Sequence, residues 1–137
     1  MSESDMRSKV TGALKKARGF AVENPCLPGT PDVSYIDGWL ELKWLRDWPK
    51  RESSPVTIEH YTPQQRVFHV EQWRHGGAVF MLLQVRGTWL LFDGPTSARI
   101  VGKVTRAELE EHALEHWRSE AEMRRNLLAA LKNHRPR

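Results

Sequence analysis

Apolar residues at Met6, Val10, Ala13, Leu14 and Ala17 recur at three- and four-residue spacing, which predicts an amphipathic helix over 5–18. Glu3 and Asp5 stand near its positive end, and Gly19 is placed to stop it. Residues 20–22 suit a short edge strand before the breaker-rich run 24–31. Two β-rich runs follow, 32–36 and 39–45, separated by Asp37-Gly38. An Asp-Gly pair between such runs predicts a hairpin with a type I′ turn, which needs positive φ at both central positions. The polar stretch 46–61 has no period and reads as a long loop. Thr62-Pro63 opens a second helix that continues to Gly76-Gly77. The unbroken apolar run at 78–85 predicts a central strand covered on both faces, and 88–92 predicts its neighbour. The remainder, 105–133, reads as helical with a break near His116 to Ser119. The order predicts an α/β fold: a small mixed sheet containing a β-hairpin and a right-handed βαβ crossover, flanked by helices. Residues 1–102 would form the core, and 103–137 a basic helical extension of the same domain.

A chain of 137 residues suits one domain that holds a core without staples. Its single cysteine, Cys26, excludes an internal disulfide and a four-cysteine zinc site. No apolar run approaches the ~18 residues of a membrane span, and the start has no signal-peptide core. These features lead to the expectation of a cytoplasmic protein without membrane contact. The net charge of +4 favours an anionic partner. From Met123 onward there are five Lys or Arg and no Asp or Glu, so this end is either a solvated terminus or a nucleic-acid contact. His112 and His116 have helical i, i+4 spacing, but no third zinc ligand is evident and a solvated helix face is the better reading. Cys26 carries no signature of a nucleophile, and no Gly-rich phosphate loop occurs.

The stretch 29–43 (GTPDVSYIDGWLELK) carries the candidate chemistry. A two-residue turn at Asp37-Gly38 would pair Ser34 with Glu41 and Asp32 with Lys43. Alternation then projects Asp32, Ser34, Glu41 and Lys43 from one face, and Val33, Tyr35, Leu40, Leu42 and Trp44 from the other. Asp32 and Glu41 become diagonal neighbours that one divalent ion would join. Mg²⁺ (or Mn²⁺) takes carboxylate oxygens and keeps positions for water and phosphate. Such an ion stabilises charge on a phosphate and acidifies an attacking water. Lys43 would orient that water and offset developing charge. The bland alternative is an Asp32–Lys43 ion pair on a solvated sheet.

Pro31-Asp32 followed by Glu41-Leu42-Lys43 resembles the PD-(D/E)XK nuclease superfamily, and within it the stand-alone viral VRR-NUC domains, which are similar to Holliday-junction resolvases. The resemblance spans roughly residues 3–85, including the opening helix, Gly-x-Pro-Asp at 29–32, Glu-x-Lys at 41–43 and Thr62-Pro63-Gln64-Gln65. It implies a restriction-endonuclease-like core. It also implies a third metal-site acid on the first helix, where Glu3 matches best and Asp5 is the second candidate. Gln65 takes the place of a supporting glutamine beside the metal-bound water or Lys43, although a helix-cap role suits it equally. The loop 46–61 is longer than the family's usual link, and the tail after Gly102 has no counterpart.

The expected function is a Mg²⁺-dependent endodeoxyribonuclease acting on branched DNA such as a Holliday junction in viral DNA processing, in host cytoplasm or virion. Its candidate catalytic residues are Asp32, Glu41, Lys43 and Gln65, and its candidate metal ligands are Glu3, Asp32 and Glu41. Candidate DNA contacts are Arg46, Lys50, Arg51, Arg124 and Arg125. Symmetric junction cleavage would call for a homodimer. The alternatives are a non-specific or restriction-type duplex DNase, and a non-catalytic DNA-binding or virion structural protein.

Overall fold

The computed structural model describes residues 3–22 and 29–137, with the Glu3 side chain outside that description. Cys26 and most of the breaker-rich run also lie outside it. Six strands form one sheet in the order β1-β2-β3-β4-β5-β6: β1 (Phe20–Ala21), β2 (Val33–Tyr35), β3 (Gly38–Leu45), β4 (Ala78–Val85), β5 (Thr88–Asp93) and β6 (Glu115–Trp117). Neighbours are antiparallel except β3 and β4, which are parallel. Helix α2 (Pro63–Arg74) joins that parallel pair, so the predicted βαβ unit is present in a mixed α/β sheet. The other helices are α1 (Glu3–Ala13), α3 (Gly94–Ile100), α4 (Arg106–His112) and α5 (Glu120–Asn133). Among the described residues, no helix is long and apolar enough to cross a membrane.

Two apolar clusters cover the two faces. On one, Met6, Val10 and Leu14 meet Leu40, Phe80, Leu91, Met123, Leu127 and Leu131, so α1 and α5 lie against the sheet together. Burying one such side chain contributes roughly 1.5–3 kcal/mol. On the other, Met81, Leu83, Leu90 and Phe92 meet Ile100, Leu109, Val56 and Tyr61. Coverage from both sides explains why every residue of β4 is buried and why its sequence is apolar except at Gln84.

The first helix ends earlier than its apolar stripe. Regular α-helix stops at Ala13, a 3₁₀ turn carries Lys15–Ala17, and Arg18, at φ 57°, takes the left-handed position expected of Gly19. Gly19 serves close packing instead, since a Cβ there would lie 2.6 Å from Leu14 Cβ.

The hairpin turn is also displaced. Tyr35 pairs with Gly38 and Val33 with Leu40, so the turn residues are Ile36 and Asp37, and neither they nor Gly38 has positive φ. A Cβ on Gly38 would come within 2.1 Å of Ala78 O. Gly38 therefore admits β4 at close range rather than supplying turn geometry.

The C-terminal third differs most from expectation. Asp93 caps the unpredicted α3 through Thr96 N–H, and 105–133 is helix, strand, helix. The strand β6 extends the sheet beside β5, with Trp117 opposite Trp89. Residues 103–137 thus supply a sheet strand and core side chains as well as helices. His112 ends α4 while His116 sits on β6, so the helical spacing of a zinc pair is absent.

Candidate active site

Strand β2 begins only at Val33 while its antiparallel partner β3 runs on to Leu45, so the two strands part beyond the Val33–Leu40 pair. A backbone N–H left open there needs another acceptor. Asp32 supplies it, with Oδ2 accepting from Leu42 N–H at 2.9 Å. The carboxylate is thereby fixed at the fork. Moving the turn by one residue shifts the pairing register by two, which conserves parity, so Asp32, Glu41 and Lys43 still share a face; continued one residue past Val33–Leu40, the register sets Asp32 opposite Glu41 rather than diagonal to it.

Glu41 and Lys43 are only 1% and 6% exposed. Lys43 Nζ lies 3.1 Å from Glu41 Oε2 and donates to His60 O at 3.0 Å and Gln65 Oε1 at 3.3 Å. Three acceptors occupy its three donors. Asp32 is not part of this set, and the expected alternative of an exposed Asp32–Lys43 pair is replaced by a buried Glu41–Lys43 pair.

Gln65 makes the cap contact and reaches Lys43, and it adds a bond to Glu41 that the sequence did not anticipate. Its Nε2 donates to Glu41 Oε2 at 3.0 Å, and its Oε1 accepts from Thr62 N–H at 3.0 Å. The Thr62 hydroxyl accepts in turn from Gln65 N–H, closing a capping box. The start of α2 thus holds the amide in one orientation.

His60 explains the placement of the third acceptor. Its φ of 62° is unusual for a residue with a side chain, and it turns the chain where its carbonyl meets Lys43. The next residue, Tyr61, is anchored beneath: its hydroxyl lies 2.7 Å from His69 Nδ1 and 3.2 Å from Ser97 Oγ. The Arg66 guanidinium stacks 3.9 Å from the Tyr61 ring centroid and donates to Ala98 O and Val101 O, tying α2 to α3.

Burial, and then the charge of Asp32, raise the Glu41 pKa to about 8 against the opposing influence of Lys43. Glu41 Oε1 is buried and receives no hydrogen bond. Two carboxylates and an undonated carboxylate oxygen suit a hard divalent cation, which would relieve the repulsion that raises the pKa. Among the described residues, no group of three or more His, Cys, Asp or Glu forms a metal cluster. The Glu3 side chain lies outside the described residues, and Asp5 is exposed.

The pocket, about 250 Å³, is lined by Asp32, Glu41, Lys43, Gln65, Arg7 and His60 among others. Arg7 and His60 were not anticipated. Arg7 falls one helical turn after Glu3, which was the available signal; the backbone conformation of His60 had none.

The expected DNA contacts do not all converge on this pocket. Arg46 lines an adjacent groove, Arg51 a separate cavity with Arg106 and Glu110, and Lys50 is exposed between them in sequence. Arg124 pairs with Glu120 at 3.2 Å, which also binds Lys9 at 2.8 Å, so it participates in the α1–α5 contact. Arg125 is exposed on α5. No protein-family model matches the chain, and no curated protein matches it.

Proposed function

We propose that this protein is a divalent-metal-dependent nuclease that hydrolyses DNA phosphodiester bonds in the pocket of Asp32, Glu41, Lys43 and Gln65. The observation that carries the reading is the division of labour at Glu41. One oxygen is engaged by Lys43 and Gln65, and the other is left undonated beside Asp32.

Asp32 and Glu41 would hold Mg²⁺ or Mn²⁺, with Glu3 as the third acid that the resemblance to PD-(D/E)XK nucleases implies. The bound ion supplies positive charge that polarises the phosphodiester and acidifies a coordinated water. Asp32 and Glu41 would bind the ion, and Glu41 would give up for it the proton that burial favours. Lys43 presents a fixed ammonium whose contact with the His60 carbonyl is exchanged for a phosphate oxygen or the attacking water. Gln65 positions Lys43 and Glu41 together. The same resemblance favours branched DNA, including a Holliday junction cut by a homodimer.

The test is incubation of the purified protein with supercoiled plasmid, linear duplex and a four-way junction in Mg²⁺, Mn²⁺, Ca²⁺ or EDTA. Cleavage is expected in Mg²⁺ or Mn²⁺, binding with little turnover in Ca²⁺, and neither cleavage nor metal-induced thermal stabilisation in Asp32→Asn. Undiminished cutting in EDTA would falsify the metal mechanism. Tight binding of every DNA form without cutting would assign the protein to the binding-module alternative.

A further inference from the structure

A larger groove of about 840 Å³ opens beside the catalytic pocket at the carboxyl end of β3. Lys43 and His60 line both spaces, so the two are neighbours. Its volume is that of a site for a drug-sized ligand. The walls are largely apolar and aromatic: Trp44 and Leu45 from β3, then Trp48, Pro49, Pro55 and Ile58 from the loop 46–61. Lys43 and Arg46 are matched by Asp47 and Glu59, so the formal charges of the lining cancel. A phosphate track would need excess cation. This groove suits the uncharged, flat part of a nucleotide.

Trp48 is built to receive it. Trp48 lines the groove and also the cavity that holds Arg106 and Glu110, and it packs in part against the core cluster of Val56, Tyr61 and Leu109. The Arg106 guanidinium lies 4.5 Å from the ring centroid, fixed by its 2.6 Å bond to Glu110. The Trp48 N–H donates to Asp47 Oδ1 at 2.8 Å, which holds the backbone as well. A cation over the ring and an apolar groove lined by the same residue make Trp48 the candidate stacking platform.

We propose that this groove captures an unpaired nucleobase on Trp48, next to the phosphodiester bound at Asp32 and Glu41. The substrate class is then DNA with an unstacked nucleotide beside the cleaved bond, as at a branch point, a gap or the base of a single-stranded arm. A base within continuous duplex is stacked on both faces and reaches Trp48 only by leaving the helix. The inference rests on the nuclease reading for its neighbouring phosphate, and its test separates the two.

The measurement uses 2-aminopurine placed in the first unpaired nucleotide of an armed duplex, with a fully paired duplex as reference, in Ca²⁺. The armed probe is expected to bind more tightly and to change in fluorescence as its base stacks. Trp48→Ala should reduce the preference, read as the ratio of the two dissociation constants, by roughly tenfold, the scale of one base–aromatic stack. Trp48→Phe should keep most of it. A ratio cancels any loss of active protein, since that loss affects both probes alike. Equal affinities in the wild type, or a ratio unmoved by Trp48→Ala, overturns the proposal. Displacement of the probe by an apolar peptide but by no oligonucleotide overturns it as well. The same DNAs are then incubated with Mg²⁺. Cleavage without arm preference removes the groove and leaves the nuclease; Trp48-dependent capture without cleavage removes the nuclease and leaves the groove.

Discussion

Lys43 Nζ sits 3.1 Å from Glu41 Oε2 although the two residues lie two apart on one strand and both are almost wholly buried. A buried pair of this kind is an expensive way to stabilise a sheet, because desolvation offsets much of the attraction. Its cost is understandable if the pair serves a ligand. The surrounding Gln65 and His60 contacts make the arrangement a preorganised one.

Lys43→Met tests that role. The thioether chain fills the same space, and Asp32 and Glu41 remain to hold metal. Cleavage is expected to fall by about 10²–10³-fold, the scale of one lost charge-stabilising donor, while DNA binding in Ca²⁺ changes little. Equal cleavage rates would remove Lys43 from the chemistry.

Gln65→Ala should act on both stability and site geometry. It deletes the reciprocal half of the capping box and the donor to Glu41, at a cost of about 1–2 kcal/mol in chemical denaturation. Thr62→Ala removes the other half of the box and leaves Gln65 Nε2 on Glu41. Comparable stability loss with a much smaller loss of cleavage in Thr62→Ala would separate the cap from the site; identical activity losses would mean that the cap alone matters.

Folding stability should depend on pH through two opposed groups. Burial, followed by Lys43 and Arg66, lowers the His69 pKa from 6.5 to about 4. Its contribution is complete above 6.5 and is lost as the pH falls through 4, because the unfolded chain then binds the extra proton. The Glu41 pKa is raised from 4.5 to about 8, so its contribution is complete below 4.5 and is lost as the pH rises through 8. The two slopes oppose each other between about 4.5 and 6.5, giving a plateau, with a decline from 6.5 towards 8. Urea midpoints across this range should show it, and Glu41→Gln should flatten the alkaline side. An unchanged alkaline slope in that variant would exclude Glu41 as its source.

The basic C-terminal end must be probed by point substitution, because Met123, Leu127 and Leu131 are fully buried and truncation at Met123 would open the core. Arg125→Ser is expected to lower the log–log salt slope of duplex binding by about 0.9, the value for one phosphate contact. Arg124→Ser should instead lower thermal stability slightly, since it breaks an exposed ion pair with Glu120. A salt slope unmoved by Arg125→Ser removes that residue from the DNA interface.

Local and periodic features were legible in the chain itself. Period-two alternation placed Asp32, Glu41 and Lys43 on one face, and the displaced turn left them there because a shift of two residues restores parity. Thr62-Pro63 with Gln65 announced the start of α2, since a capping box is made from residues three apart. The apolar run of β4 announced burial on both sides. Tertiary structure decided what depends on distant neighbours. Close contact with Ala78 gave Gly38 its purpose, pairing with β5 drew 115–117 into the sheet, and packing against α1 turned a basic tail into a core helix. The site followed the same division. Residue types and spacing nominated Asp32, Glu41 and Lys43, and the family resemblance nominated Gln65, but the burial of Glu41, the left-handed turn at His60 and the approach of Arg7 arise where α1, β3 and α2 meet. Such relationships join residues far apart in sequence, so no short-range pattern encodes them.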